Sequence, residues 1–240
     1  MFLTHADLDV ADADAVRSAL RAGDVVIHAA AMTDVDGCER EPDAAWAVNA
    51  AGAANVAAGR ARVILLSTDY VFDGRAGRAY LEDDPTGPLN AYGRSKLAAE
   101  RSVLERPGNL VVRTSWVYGR GRNFVRAILA AEDAGRRLRV VDDQHGRPTW
   151  ADDLAAALVH LMDRGAAGIV HVTGDGAPCS WADLAEFVVR HPVDRISSAE
   201  FGAAAPRPQS SVLDLGRARA LGVPLADWRR SVRRYLEEER

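Results

Sequence analysis

Three apolar runs of strand length restrict what this chain can become. Asp24–Ala31 (Asp-Val-Val-Ile-His-Ala-Ala-Ala), Arg62–Ser67 (Arg-Val-Ile-Leu-Leu-Ser) and Asn109–Val117 each start polar, and the first two run out into small or hydroxyl-bearing residues. Near-continuous hydrophobic runs are what strands buried on both faces of a parallel sheet require. Helix-patterned segments precede them: Ala13–Ala22, the alanine-rich Glu41–Gly59, and Tyr92–Arg106. Parallel strands need such crossovers, so the alternation predicts an α/β fold with a doubly wound parallel sheet. Ligands of such sheets bind outside the carboxyl ends of the strands, where Ala29–Ala31, Ser67–Asp69 and Thr114–Trp116 fall.

From about Asn123 the pattern changes to helices separated by short strands and Pro/Gly turns, as in Gly146-Arg147-Pro148-Thr149 and Ala205-Pro206-Arg207-Pro208. This divides the chain into a sheet-based core over 1–122 and a smaller lobe over 123–240, with a crossing back to the sheet. Arg229–Arg240 reads as a charged terminal helix that packs through Trp228 and Tyr235. The 240 residues suffice for one large α/β domain, and a net charge of −4 without a basic block points away from nucleic acid and anionic membranes. No apolar run approaches the ~20 residues of a spanning helix, and no basic-then-apolar leader is present, so a cytoplasmic location is expected. Cys38 and Cys179 lack metal-ligand spacing, and neither a disulfide framework nor a metal site is expected.

The densest chemistry lies in Leu89–Glu100. Tyr92 and Lys96 are four apart, so a helix stacks them on one face. An ammonium beside a phenol stabilises the phenolate and lowers its pKa, which makes the pair able to protonate a developing alkoxide while hydride arrives. Tyr-x-x-x-Lys alone is common on amphipathic helices; its weight here comes from Ser67-Thr68-Asp69-Tyr70-Val71-Phe72-Asp73-Gly74, a strand end rich in hydroxyls.

Those two segments, followed by Arg113-Thr114-Ser115-Trp116-Val117-Tyr118-Gly119, Asp143-Gln144-x-Gly146-x-Pro148-Thr149 and Arg207-Pro208 with Ser210, Ser211 and Leu213, resemble the dTDP-4-dehydrorhamnose reductase family. That family consists of extended short-chain dehydrogenase/reductases, and the likeness runs from about Asp7 onward. The resemblance implies a Rossmann-like sheet, NADPH or NADH as cofactor, and a 4-keto-6-deoxy nucleotide sugar as substrate. It implies Tyr92 as general acid, Lys96 as its partner and holder of the nicotinamide ribose, and Thr68 as donor to the sugar carbonyl. Thr33, Val35, Asp69, Tyr70 and Trp116 would line the sugar pocket, and Arg207 would meet the diphosphate. Asp9 and Val10 match the adenine side of the cofactor site; Ala29, Ala30, Ala31 and Ser67 match its backbone side. Each has a plainer alternative: Thr68 capping a turn, Trp116 as core, Arg207 as a solvated loop residue, His28 as a core histidine. Related nucleotide-sugar dehydratases carry an acidic pair after the threonine; here Tyr70 follows Asp69, which fits reduction rather than elimination.

One departure bears on the whole fold. Relatives open with a strand, a glycine-rich turn and a helix that cradle the pyrophosphate. Nothing of that pattern stands near Met1, as if roughly 30 residues, about one βαβ half-unit, were missing. The strand Asp24–Ala31 is then expected to present an unpaired edge, a feature proteins usually avoid. Three readings follow: a fragment of a working reductase, a non-catalytic regulatory or binding protein on a reductase scaffold (as in the reductase-like regulatory subunit of methionine adenosyltransferase), or a homo-oligomer that completes the edge.

Overall fold

The computed structural model describes residues 1–238. Its strands, in chain order, are β1 (Val25–His28), β2 (Arg62–Thr68), β3 (Leu110–Thr114), β4 (Val117–Tyr118), β5 (Arg139–Val141), β6 (His145–Gly146), β7 (Thr149–Trp150), β8 (Gly168–His171), β9 (Cys179–Ser180) and β10 (Asp194–Ile196). Four of them form a parallel sheet in the order β1-β2-β3-β8, with Ile27, Ile64, Leu110 and Gly168 in register across it.

Both faces of the sheet are covered, as near-continuous apolar strands demand. Ile64, Leu110, Val112 and Val170 pack against Leu154, Leu158 and Leu161 of the helix Ala151–Asp163. On the other face Val63, Leu65 and Val111 meet Ala99 and Val103 of the helix Ala91–Leu104, with Ala53 and Val56 of Gly52–Ala57. The layers are those of a Rossmann-like doubly wound α/β fold. The helix Ala151–Asp163 packs on this sheet, and β8 pairs with β3 within it.

The edge strand behaves as its sequence suggested. β1 pairs on one side only, and its outward Val25 and Ile27 are 43% and 40% exposed. Two other elements differ from expectation. The segment Asn109–Val117 does not continue as one strand, because Trp116 adopts φ +49°, a left-handed conformation that ends β3 before the chain resumes in β4. The helix of residues 41–59 is interrupted: Pro42–Ala45 leads into a π-helical stretch, Trp46–Ala51, and then Gly52–Ala57. That wider turn carries Asn49 inward.

The remaining strands form two-residue and three-residue ladders, β5 with β10 and β4 with β7 in parallel, β6 with β9 antiparallel. Their lobe has its own core of Tyr118, Trp150, Leu184, Val188, Trp228, Val232 and Tyr235. Trp228 and Tyr235 are the buried anchors of the terminal helix Trp228–Glu238. Cys38 and Cys179 are both buried free thiols. Among the described residues no helix is long and apolar enough to cross a membrane.

Leu161 is fully buried between helix and sheet. Leu161→Ala should therefore cost about 2–5 kcal/mol, read as a lower urea midpoint with an unchanged slope; an unshifted midpoint would show that the sheet is not closed by this helix.

Candidate active site

The carboxyl ends of β1 and β2 meet the first turn of the helix Ala91–Leu104, and local sequence explains the fit. Asn90 caps that helix by accepting from the Gly93 amide at 2.8 Å, and its own amide donates to the Pro206 carbonyl at 2.8 Å. Gly93 is obligatory: a Cβ there would stand 2.2 Å from the Tyr70 carbonyl oxygen. The missing side chain lets the turn Asp69–Val71 press onto the helix, which sets the Tyr70 ring edge-on to Tyr92 at 6.2 Å. Thr68 caps that turn by accepting from the Tyr70 amide at 3.1 Å, donates to Asp69 Oδ1 at 3.1 Å, and lies near enough to the Tyr92 phenol to lower its pKa. The turn-capping reading of Thr68 is realised.

Electrostatics here are dominated by burial. Desolvation, and then the charge of Asp69, hold the Tyr92 phenol above its ordinary value, while Thr68 pulls it down. The lowering of the phenol by Lys96 expected from their spacing is not a feature of this structure. Lys96 is itself 3% exposed, and desolvation brings it down to about 8 against the opposing pull of Glu100. Among the described residues its ammonium has no hydrogen-bond or ion-pair partner. His28 is lowered to about 4 by burial and by Lys96, and its Nε2 has no partner. Asp69 is raised to about 7 by burial, opposed by hydrogen bonds from Ser211 and Thr68.

The other expected site residues are placed as follows. Ala29 and Ala30 are exposed just beyond β1, and Ala31 is half-buried. The next residue, Met32, is pinned through its amide and carbonyl by Asn49, at 2.7 and 3.1 Å, and Asn49 reaches Ser95 of the helix at 3.0 Å. Thr33 is exposed, and Val35 opens the helix Val35–Arg40. Arg207 is no solvated loop residue: it forks onto Asp36 at 3.1 and 2.9 Å and donates to the Ala205 carbonyl at 2.8 Å. Asp69 is buried with its oxygens turned to Thr68 and Ser211, so it braces the site instead of lining a pocket as the resemblance implied. The Ser67 hydroxyl is likewise turned inward, donating to Glu100 at 2.5 Å. Trp116 stacks on Trp181 at 3.6 Å, over Gly146, where a Cβ would stand 2.6 Å from its ring. Asp9 is spent on the Ala11 amide at 2.9 Å, and Val10 packs on Gly52.

Sequence reasoning passed over Asn49 and Asp36, and it named Glu100, Arg113 and Ser211 within motifs without giving them a role. One signal was available for the lysine: Lys96 is the only lysine among 30 basic residues.

A doubly wound parallel sheet with threonine, tyrosine and lysine converging at its carboxyl edge is the arrangement of a short-chain dehydrogenase/reductase. Comparison with known proteins narrows this. The family model described as RmlD substrate binding domain matches residues 1–240. A dTDP-4-dehydrorhamnose reductase of Streptomyces griseus is 42% identical, over 95% of this chain and 81% of that protein. A probable dTDP-4,6-dihydroxy-2-methyloxan-3-one 4-ketoreductase of Streptomyces antibioticus is 43% identical, over 96% and 84%. The crystal structure of dTDP-4-dehydrorhamnose reductase from Bacillus anthracis in complex with NADP superposes with a TM-score of 0.93 at 34% identity, covering 98% of this chain and 89% of that one. The chain belongs to the dTDP-4-dehydrorhamnose reductase family.

The buried histidines give a pH test. His28 and His171 titrate lower in the folded chain than the ordinary 6.5, at about 4 and about 3. The unfolded chain therefore binds more protons below 6.5, and their contribution is present above that pH and lost as pH falls. Asp69, raised from 3.8, gives the opposite slope, so variants must be compared with wild type. His171→Gln should lose less stability than wild type between about pH 7 and about pH 5 in urea titrations; equal losses would contradict a neutral buried His171.

Proposed function

We propose that this chain reduces the keto group of a 4-keto-6-deoxy nucleotide sugar of the dTDP-4-dehydrorhamnose kind, with NADPH or NADH as hydride donor, in deoxysugar biosynthesis. The observation that carries this is Thr68 beside the Tyr92 phenol at a strand end, with Lys96 one helical turn further on, buried and without a partner among the described residues. The nicotinamide half of such a cofactor fits what is present. An unpartnered buried Lys96 suits a ribose diol, and the exposed Ala29 and Ala30 leave backbone open to close approach.

The cofactor, when bound, supplies the hydride that forms the new C–H bond. Tyr92 gives its proton to the carbonyl oxygen, forming the O–H bond and leaving a phenolate that solvent reprotonates. An alkoxide is a stronger base than a phenolate, so the transfer runs downhill even from a buried phenol. Thr68, beside Tyr92, can share the same oxygen and stabilise its charge as it forms. Lys96 keeps a positive charge beside the phenolate. Tyr70 stands where an eliminating enzyme would need a carboxylate base, so dehydration lacks its catalyst. Arg207 can meet a diphosphate only by yielding part of its fork from Asp36.

The alternative reading is a binding or regulatory protein on this scaffold that does not take the cofactor. Fluorescence titration with NADPH and NADH separates the two, since no binding up to millimolar cofactor leaves only the second. Self-association through the open edge of β1 belongs to either reading, and Ile27→Lys should abolish it in sedimentation experiments.

If cofactor binds, its oxidation by a 4-keto-6-deoxy nucleotide sugar follows turnover. Tyr92→Phe removes only the transferred proton, so the rate should fall about 10²–10⁴-fold with cofactor affinity nearly unchanged. A rate equal to wild type would refute Tyr92 as the acid.

A further inference from the structure

We propose that Glu100 is a positioning residue: its carboxylate, clamped by Arg113 and Ser67 one helical turn from Lys96, keeps the Lys96 ammonium charged inside the fold. The inference deepens the reductase reading above and rests on Lys96 serving Tyr92. Residues four apart on a helix share a face, and here both are buried against the sheet, Lys96 at 3% and Glu100 at 1% exposure.

The carboxylate is fixed from two strands. Arg113 of β3 donates through Nε to Oε1 at 3.0 Å and through Nη2 to Oε2 at 2.7 Å, and Ser67 of β2 donates to Oε1 at 2.5 Å. Arg113 is held in turn by the Glu82 carbonyl at 3.2 Å, and its guanidinium lies 5.0 Å from the centre of the Phe72 ring. So many contacts leave Glu100 no freedom to pair directly with Lys96, and no ion pair joins them. Its influence acts through space, between two side chains that are both buried.

Stability alone does not account for this arrangement. A buried ion pair is about break-even against apolar side chains of similar volume. What leucine or methionine could not supply is negative charge one turn from a desolvated ammonium. The other groups near Lys96 do not supply it either. His28 of β1 is neutral and adds no negative charge, Tyr92 is a protonated phenol, and Asp69 and Cys38 sit by the phenol. Glu100 is the group that offsets the desolvation of Lys96.

The composition of the chain makes this directly measurable. Lys96 is the only lysine, so protein labelled with ¹³C at the lysine ε-carbon gives one lysine signal, whose titration in a ¹H–¹³C spectrum reports its charge without any turnover. Wild type should titrate near about 8. Glu100→Gln should lower the midpoint by about one pH unit or more. Because that variant strands the buried Arg113 cation, Glu100→Gln combined with Arg113→Met removes both charges at once and restores neutrality. The midpoint should stay below wild type there too, and the high-pH limb of sugar reduction should fall by the same interval. Midpoints equal to wild type in the folded variants overturn the proposal, whatever the activity. A lowered midpoint in a protein that reduces no sugar would instead sink the reductase reading and leave the link between Glu100 and Lys96 intact.

Discussion

The helix Ala91–Leu104 carries a lysine and a glutamate into the space between helix and sheet, and the site depends on how each is compensated. Removing an ion from water costs several kcal/mol even after the protein relaxes. Glu100 meets that cost with three charge-assisted or hydroxyl donors, two from Arg113 and one from Ser67. Lys96 has no such partner among the described residues, and desolvation lowers its pKa. The asymmetry is what makes Lys96 available: a satisfied ammonium would be a strut, and an unsatisfied one can take a ligand.

Backbone geometry then decides which groups stand near Lys96. Gly93 allows the Tyr70 carbonyl to approach the helix, and Thr68 caps the turn that Tyr70 begins. Asn49, brought inward by a π-helical turn, fastens Met32 and so fixes where the Ala29–Ala31 backbone emerges. Asp36 and Asn90 fasten the Arg207 segment from two elements far away in sequence. The Arg207 segment of the small lobe is thus tied down beside the site by hydrogen bonds to backbone and side chain.

Most of the sheet was legible because buried parallel strands read as unbroken apolar runs, and the helices between them follow from connectivity. β1 was legible even as an edge. What escaped was set by contacts distant in sequence. The end of β3 depends on a left-handed Trp116, stabilised by stacking on Trp181 that no local pattern announces. The inward turn of Asp69 depends on Ser211, 142 residues on. Tyr92 and Lys96 were legible by spacing, but their ionisation was not: pattern places an ammonium near a phenol, whereas burial decides which group keeps its charge.

The choice of lysine at position 96 gains meaning from the rest of the chain. Every other basic position is arginine, whose guanidinium stays charged wherever it is placed and binds through a broad planar fork. An arginine at 96 would need no help from Glu100 to remain cationic, yet its fork would fill the space that a ribose diol would enter on the proposed reductase reading. Lysine's compact head leaves that space open, at the cost of a charge that desolvation erodes. The buried carboxylate behind it is the counterpart of that choice, which is why Glu100, Arg113 and Ser67 are better understood together with Lys96 than as packing beneath the site.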